Sequence, residues 1–231
     1  MKTCIALVTL LLLLAATPLA AQEKAAKTPN YFQPGQLHVE LILARPPAPG
    51  SARDREEMNE LLQIQAKRTV AQIKAAQQDD LEEDIFIFQN VIGPDFTAEK
   101  LPVIALLSKR LKNDSEMVDP PLKHLYLRPR PYVASTKVHS VCKPSAEPSY
   151  PSGHAMLGYL FAYALAQIIP AKHEAILQRA DEYAHNRLVC GVHYRSDTEA
   201  SRFASSVLFG VMLDNPNFFM ILTRHDRNWE W

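Results

Sequence analysis

The chain opens with a nearly unbroken apolar run, Ile5 to Ala16, behind one cation at Lys2, and small residues follow at Ala20 and Ala21. The run is shorter than the roughly 20 apolar residues that span a bilayer. A basic start, a short apolar stretch and a small-residue site predict a secretory signal peptide over residues 1–21, cleaved just before Gln22. A membrane anchor is the alternative reading. Residues 22–50 are polar and proline-rich, with Pro29, Pro34, Pro46, Pro47 and Pro49, and read as an extended arm covering the surface of a domain over 51–231.

From Ala52 to Gln78, Met58, Leu61, Leu62, Ile64 and Ile73 recur at helical spacing among charged residues, which predicts one amphipathic helix. A second is expected from Leu81 to Val91 with Ile85 and Phe88 inward; a strand over Ile85–Phe88 would lack an alternating partner nearby. Gly93-Pro94 breaks the chain. Thr97 begins a helix reaching Lys112, and Pro120-Pro121 is a second break before a short helix over Leu122–Leu127. Residues 128–152 are irregular and rich in Pro and Ser, and so long a loop inside a compact domain is usually functional. Helices are then expected over Gly153–Ile169, His173–Leu188 and His193–Leu213, with a tail helix over Asn217–Asp226. The pattern predicts one all-α domain, a single-domain helical bundle. Val207, Leu208 and Phe209 read as core, although the same stripe would also suit a homo-oligomer surface.

Charge narrows the function classes. Lys+Arg and Asp+Glu are both 25, so the chain lacks the basic excess of a nucleic-acid binder. Once Cys4 leaves with the signal peptide, Cys142 and Cys190 remain. An even pair in an exported chain is a disulfide candidate, with two buried free thiols as the alternative. No segment after the signal is long and apolar enough to span a membrane, so the mature protein is expected to be periplasmic or secreted.

Three blocks carry candidate chemistry. In Pro151-Ser152-Gly153-His154, Ser152 is a good N-cap, the N–H groups after it are unpaired, and Gly153 allows close approach, which together make an anion site with His154 beside it. An ordinary capped helix start is the competing explanation. His193 and Asp197 are spaced i,i+4, so a carboxylate on the same helix face can orient the imidazole, with Arg187 folding back over the site; a surface His–Asp pair is the alternative. Lys123 and Arg130 lie in a basic, proline-stiffened stretch with His124 and Arg128, suited to phosphate or simply to solvent. A metal centre is not indicated: His173-Glu174 lacks a second histidine, and Asp79-Asp80 and Glu82-Glu83-Asp84 lack calcium-loop spacing and read as solvated helix ends.

Taken together the blocks are specific: a lysine, six residues and Arg-Pro; then Pro-Ser-Gly-His; then an arginine, five residues, a histidine, three residues and an aspartate. This resembles the three-block signature of the type 2 phosphatidic acid phosphatase superfamily. Ser149 to His154 and Cys190 to His193 are most similar to class A bacterial non-specific acid phosphatases. The resemblance implies an all-helical fold shared with vanadium haloperoxidases. It implies a nucleophile at His193, its orienter at Asp197 and a general acid at His154. The phosphate shell would comprise Lys123, Arg130, Ser152, Gly153 and Arg187. No cofactor is implied; phosphate monoesters are the expected substrates, with inorganic phosphate or vanadate as inhibitors. Asn186 departs from the family pattern, which usually carries serine there. The readings to be separated from this one are a vanadium-dependent haloperoxidase, a soluble lipid or prenyl phosphate phosphatase, and a non-catalytic phosphate-binding protein.

Overall fold

A computed structural model describes residues 27–223, all-helical among the described residues. The signal-peptide reading of residues 1–21 and the Trp229-Glu230-Trp231 tail lie outside them. The α-helices are α1 (Ala52–Lys67), α2 (Val70–Leu81), α3 (Gln89–Ile92), α4 (Pro102–Tyr126), α5 (Pro131–Ala134), α6 (Gly153–Ile168), α7 (His173–Val189), α8 (Arg195–Met212) and α9 (Pro216–Thr223). Single 3-10 turns occupy Val39–Leu41, Ile85–Phe88 and Pro170–Lys172.

Helix α6 is apolar on almost every side, which makes a helix the centre of a bundle rather than its surface. It packs against α7 and α8, and then against α4 and α9. Gly158 is what lets α7 come so close: a Cβ there would lie 2.6 Å from Tyr183 Cδ1. Ser201 and Ser205 of α8 are buried against the same helix, and the Ser205 hydroxyl donates to Met156 O at 2.7 Å. Leu208 and Phe209 are core residues, as the periodicity predicted. Ahead of α1, Tyr31, Phe32, Val39 and Leu43 also enter this core. Asp114 of α4 fastens that segment by accepting from the Asn30 N–H at 2.7 Å and the Tyr31 N–H at 2.9 Å.

Several boundaries differ from expectation; the helix expected from Thr97, for one, starts at Pro102. The helix expected over 52–78 is two helices. Thr69 forms a capping box with Gln72, so the chain restarts at Val70 while Arg68 takes an extended conformation. The helix expected from Leu81 to Val91 is also broken up: Asp84 caps a 3-10 turn, in which Ile85 and Phe88 are buried as expected, and only the four-residue α3 follows. Most consequentially, Pro120 and Pro121 do not end a helix. Helix α4 runs through them, because Val118 and Leu122 continue the buried face of Ile104, Leu107 and Leu111. Core packing there outweighs the hydrogen bonds the two prolines cannot make. Lys123 consequently belongs to a 25-residue helix anchored in the core.

Cys142 and Cys190 form a disulfide, with Cα atoms 5.2 Å apart. It ties the long 127–152 connection to the turn after α7, where Gly191 has a φ of +75°. No single helix among the described residues is long and apolar enough to cross a membrane.

Candidate active site

A cleft of about 550 Å³ opens among α2, α4, α6, α7 and the 127–152 connection, and Lys123, Arg130, Gly153, His154, Arg187 and His193 all line it. The three blocks, dispersed in sequence, thus converge. Ser152 and Asp197 lie behind this wall, both completely buried. Ser152 Oγ accepts from the Ala155 N–H, which leaves its hydroxyl capping α6. Its own N–H donates to Ser201 Oγ at 2.8 Å, locking the start of α6 to α8.

His193 is not on a helix. It precedes α8, whose N-cap is Tyr194, so the shared helix face expected for His193 and Asp197 does not exist. Asp197 instead occupies the third helical position and turns back, accepting from the Tyr194 N–H at 2.9 Å while lying 3.2 Å from His193 Nδ1. The same contact thus arises from a capping box. On the other side of the ring, an Arg130 N–H points at Nε2 at 3.0 Å. A guanidinium can only donate, so Nε2 carries the lone pair and Nδ1 carries the proton given to Asp197. Burial holds the imidazole well below its ordinary pKa, aided by Arg130, Lys123 and Arg187, so the ring is neutral.

Asp197 accepts from four groups. Besides His193 and the Tyr194 N–H, Ser149 Oγ donates at 2.5 Å and Arg128 at 2.6 Å. Burial pushes its carboxyl upward, but Arg128, Ser149 and the Tyr194 N–H all favour the ionised form. Arg128 had no assigned role in the sequence reading. It is buried, stacked 3.8 Å above the Tyr194 ring, and it also reaches Ser196 Oγ at 2.8 Å and Glu57 Oε2 at 2.9 Å. The spacing from Lys123 singles out Arg130, but nothing in the basic stretch gives Arg128 a role. Only the fold sends one arginine into the cleft and the other behind it.

Of the acids read as solvated helix ends, Asp84 is exposed as expected, but Asp79 is buried and Asp80 and Glu83 are partly buried. Asp79 is buried against Arg179, at 2.6 and 3.1 Å, and accepts from Asn186 Nδ2 at 2.7 Å. Asp80 pairs with Arg187 at 2.7 Å. Glu83 lies 3.3 Å from His154 Nε2 and pairs with Lys112 at 2.5 Å. The structure uses these acids to balance the cations of the cleft, a role that only long-range contact reveals. His154 Nε2 also faces the Asp80 carbonyl at 3.2 Å. Burial, reinforced by Arg187, lowers the His154 pKa to about 4 against the opposing pull of Glu83. Asp80, Cys142 and Cys190 place donor atoms within 4.8 Å of one another, but both sulfurs are spent in the disulfide, so this trio holds no metal.

Known proteins resemble this chain in sequence or fold to differing extents. A family model described as the PAP2 superfamily matches residues 103–220. A non-specific acid phosphatase of Providencia stuartii is 32% identical over 136 residues, which are 57% of this chain and 55% of that protein, so the match spans about half of the relative. A non-specific acid phosphatase of Salmonella typhi is 27% identical over 212 residues, 87% of this chain and 84% of the relative. Among solved structures, a bacterial vanadium-dependent iodoperoxidase superimposes with a TM-score of 0.58 at 17% identity, covering 76% of this chain and 53% of that one, a likeness of fold.

Proposed function

Because the chain belongs to the PAP2 superfamily, we propose that it is an exported acid phosphatase that hydrolyses phosphate monoesters through a phosphohistidine at His193. The observation that carries the reading is the state of the His193 ring. Its Nδ1–H is engaged by Asp197 and its Nε2 lone pair faces a cleft lined by Lys123, Arg130 and Arg187. A binding protein needs the cations but not a neutral, oriented nucleophile among them.

In this mechanism the phosphoryl oxygens take the N–H groups of Arg130 and Arg187, the Lys123 ammonium and the N–H groups at the start of α6. Arg130 transfers its hydrogen bond from Nε2 to the substrate, freeing the lone pair. Nε2 attacks phosphorus, the bond from phosphorus to the ester oxygen breaks, and His154 gives that oxygen a proton. Asp197 stabilises the charge that develops on the His193 ring. Water then attacks the phosphohistidine, passing a proton to His154. The P–N bond breaks, and inorganic phosphate leaves with His193 neutral again. Fixed donors aimed at the equatorial oxygens supply the main stabilisation. Three side-chain cations do the neutralising, so excess EDTA is expected to leave hydrolysis of p-nitrophenyl phosphate unchanged. Export is supported by the apolar start of the chain and by a disulfide suited to an oxidising compartment.

The test is acid-quench trapping with substrate labelled in the phosphoryl group. Label is expected on His193, and His193→Ala is expected to abolish both label and turnover. Label on another residue, or near-normal turnover in His193→Ala, would overturn the nucleophile. Oxidation of bromide with added vanadate and peroxide at rates rivalling phosphate release would instead favour a haloperoxidase.

A further inference from the structure

Asp119 belongs to none of the three blocks, yet it lines the same cleft as the proposed phosphate shell. It lies one turn before Lys123 on α4, and its Oδ1 is 3.4 Å from Nζ, with both side chains almost buried. Lys123 is also held by the Pro151 carbonyl. The Asp119 carboxyl reaches across to the start of α6, where a Cβ on Gly153 would be 2.9 Å from its Oδ2. It therefore rests against the backbone that is expected to meet the phosphate. Oδ1 is shielded from solvent and makes no hydrogen bond.

A carboxylate in that place conflicts with a dianion. It neutralises Lys123 and repels the incoming oxygens. A carboxylic acid does the reverse, because it releases the ammonium and offers an O–H donor. We propose that Asp119 is an anion-binding residue that carries a proton whenever the cleft holds a tetrahedral oxyanion, donating that proton to one of its oxygens. The proposal rests on the phosphatase reading of the cleft and adds proton uptake to substrate and product binding. Deprotonation of Asp119 then helps to expel phosphate after turnover.

The groups facing Asp119 are compatible with this. Lys123 comes from its own helix, Arg130 and Glu147 from the 127–152 connection, with His154 and His193 across the cleft. Burial raises the carboxyl pKa most; Lys123 and Arg130 pull it down, and Glu147 pushes it up. An arriving dianion would raise it further.

Sulfate is the probe, because it keeps both charges through the working pH range. Its affinity, and the protons taken up on binding, are measured by calorimetry in buffers of different ionisation enthalpy, for wild type and Asp119→Asn. His154 contributes its own uptake to both proteins, so their difference isolates Asp119. At neutral pH the amide variant is expected to bind sulfate about tenfold more tightly and to take up about one proton fewer, with the affinities converging at acid pH. Asp119→Ser serves the same comparison if the amide variant fails to fold. Equal affinity and equal uptake in wild type and variant would overturn the role of Asp119. Failure of sulfate to bind either protein would remove the anion site itself.

Discussion

Arg128 donates to Asp197 Oδ1 at 2.6 Å and to Glu57 Oε2 at 2.9 Å, so one guanidinium holds the carboxylate behind His193 and ties it to α1. Neither acid is in the cleft wall, and neither is solvated. Arg128→Ala leaves buried Asp197 without its cation and Glu57 with only the more exposed Arg53, a loss on the order of 3–5 kcal/mol. Denaturant unfolding should show it. Arg128→Lys keeps the charge but cannot span Glu57, Ser196 and Asp197 together. That variant is expected to fold and to lose kcat more than KM, because His193 is then poorly oriented. A change confined to KM would argue against this positioning role.

The two histidines set the pH dependence. His193 has to be neutral, and its depressed pKa keeps it so across the acid range. His154 has to be protonated to act as an acid, and in the free protein its pKa is lowered to about 4. Activity that needs the protonated form is lost as pH rises through that value. Above it, kcat/KM is expected to fall about tenfold per pH unit. Bound dianion favours the imidazolium, so the corresponding limb in kcat should lie at higher pH. In His154→Asn the His154 step should disappear from the residual rate, leaving only the fall that Asp119 imposes, as pH–rate profiles will show.

The Cys142–Cys190 bridge closes a separation of 48 residues that includes Ser149, Ser152 and Arg187. A loop of that size corresponds to about 4 kcal/mol in the chain-entropy treatment. A Cys142→Ser, Cys190→Ser double variant is expected to unfold at markedly lower denaturant concentration while binding no less zinc than wild type, since the bridge is structural.

Asn186 stands where serine is usual, and its amide donates to Asp79 at 2.7 Å beside the Arg179 pair. Serine is too short to span that gap. Asn186→Ser is therefore expected to cost about 1 kcal/mol of stability. Its turnover should stay close to wild type, because Asn186 supports α7 without lining the cleft. Thermal melts and steady-state rates separate the two effects.

Sequence alone determined the elements whose information is local. The apolar run beginning at Ala155 predicted the helix α6, Ser152 marked its cap, and the motif spacing marked Lys123, Arg130, His154, Arg187, His193 and Asp197. Thr69 and Gln72 also carried a readable capping box, which the continuous helical periodicity of 52–78 masked. The proline pair was misleading for the opposite reason. Its local cost is real, but the buried face through Val118 and Leu122 is a property of the assembled bundle, and that face kept α4 intact.

Tertiary structure alone decided which charges are partners. Arg128 and Arg130 are two residues apart and chemically alike, yet one holds Asp197 and the other meets His193. Asp80 and Glu83 read as solvated helix ends and Asp119 belonged to no motif, yet pairing with Arg187, His154 and Lys123 made all three part of the cleft. Motif spacing specifies which residue types are available, because it is written along the chain. Their protonation and pairing depend on dielectric and distance, which exist only once α2, α4, α6 and α7 have packed together.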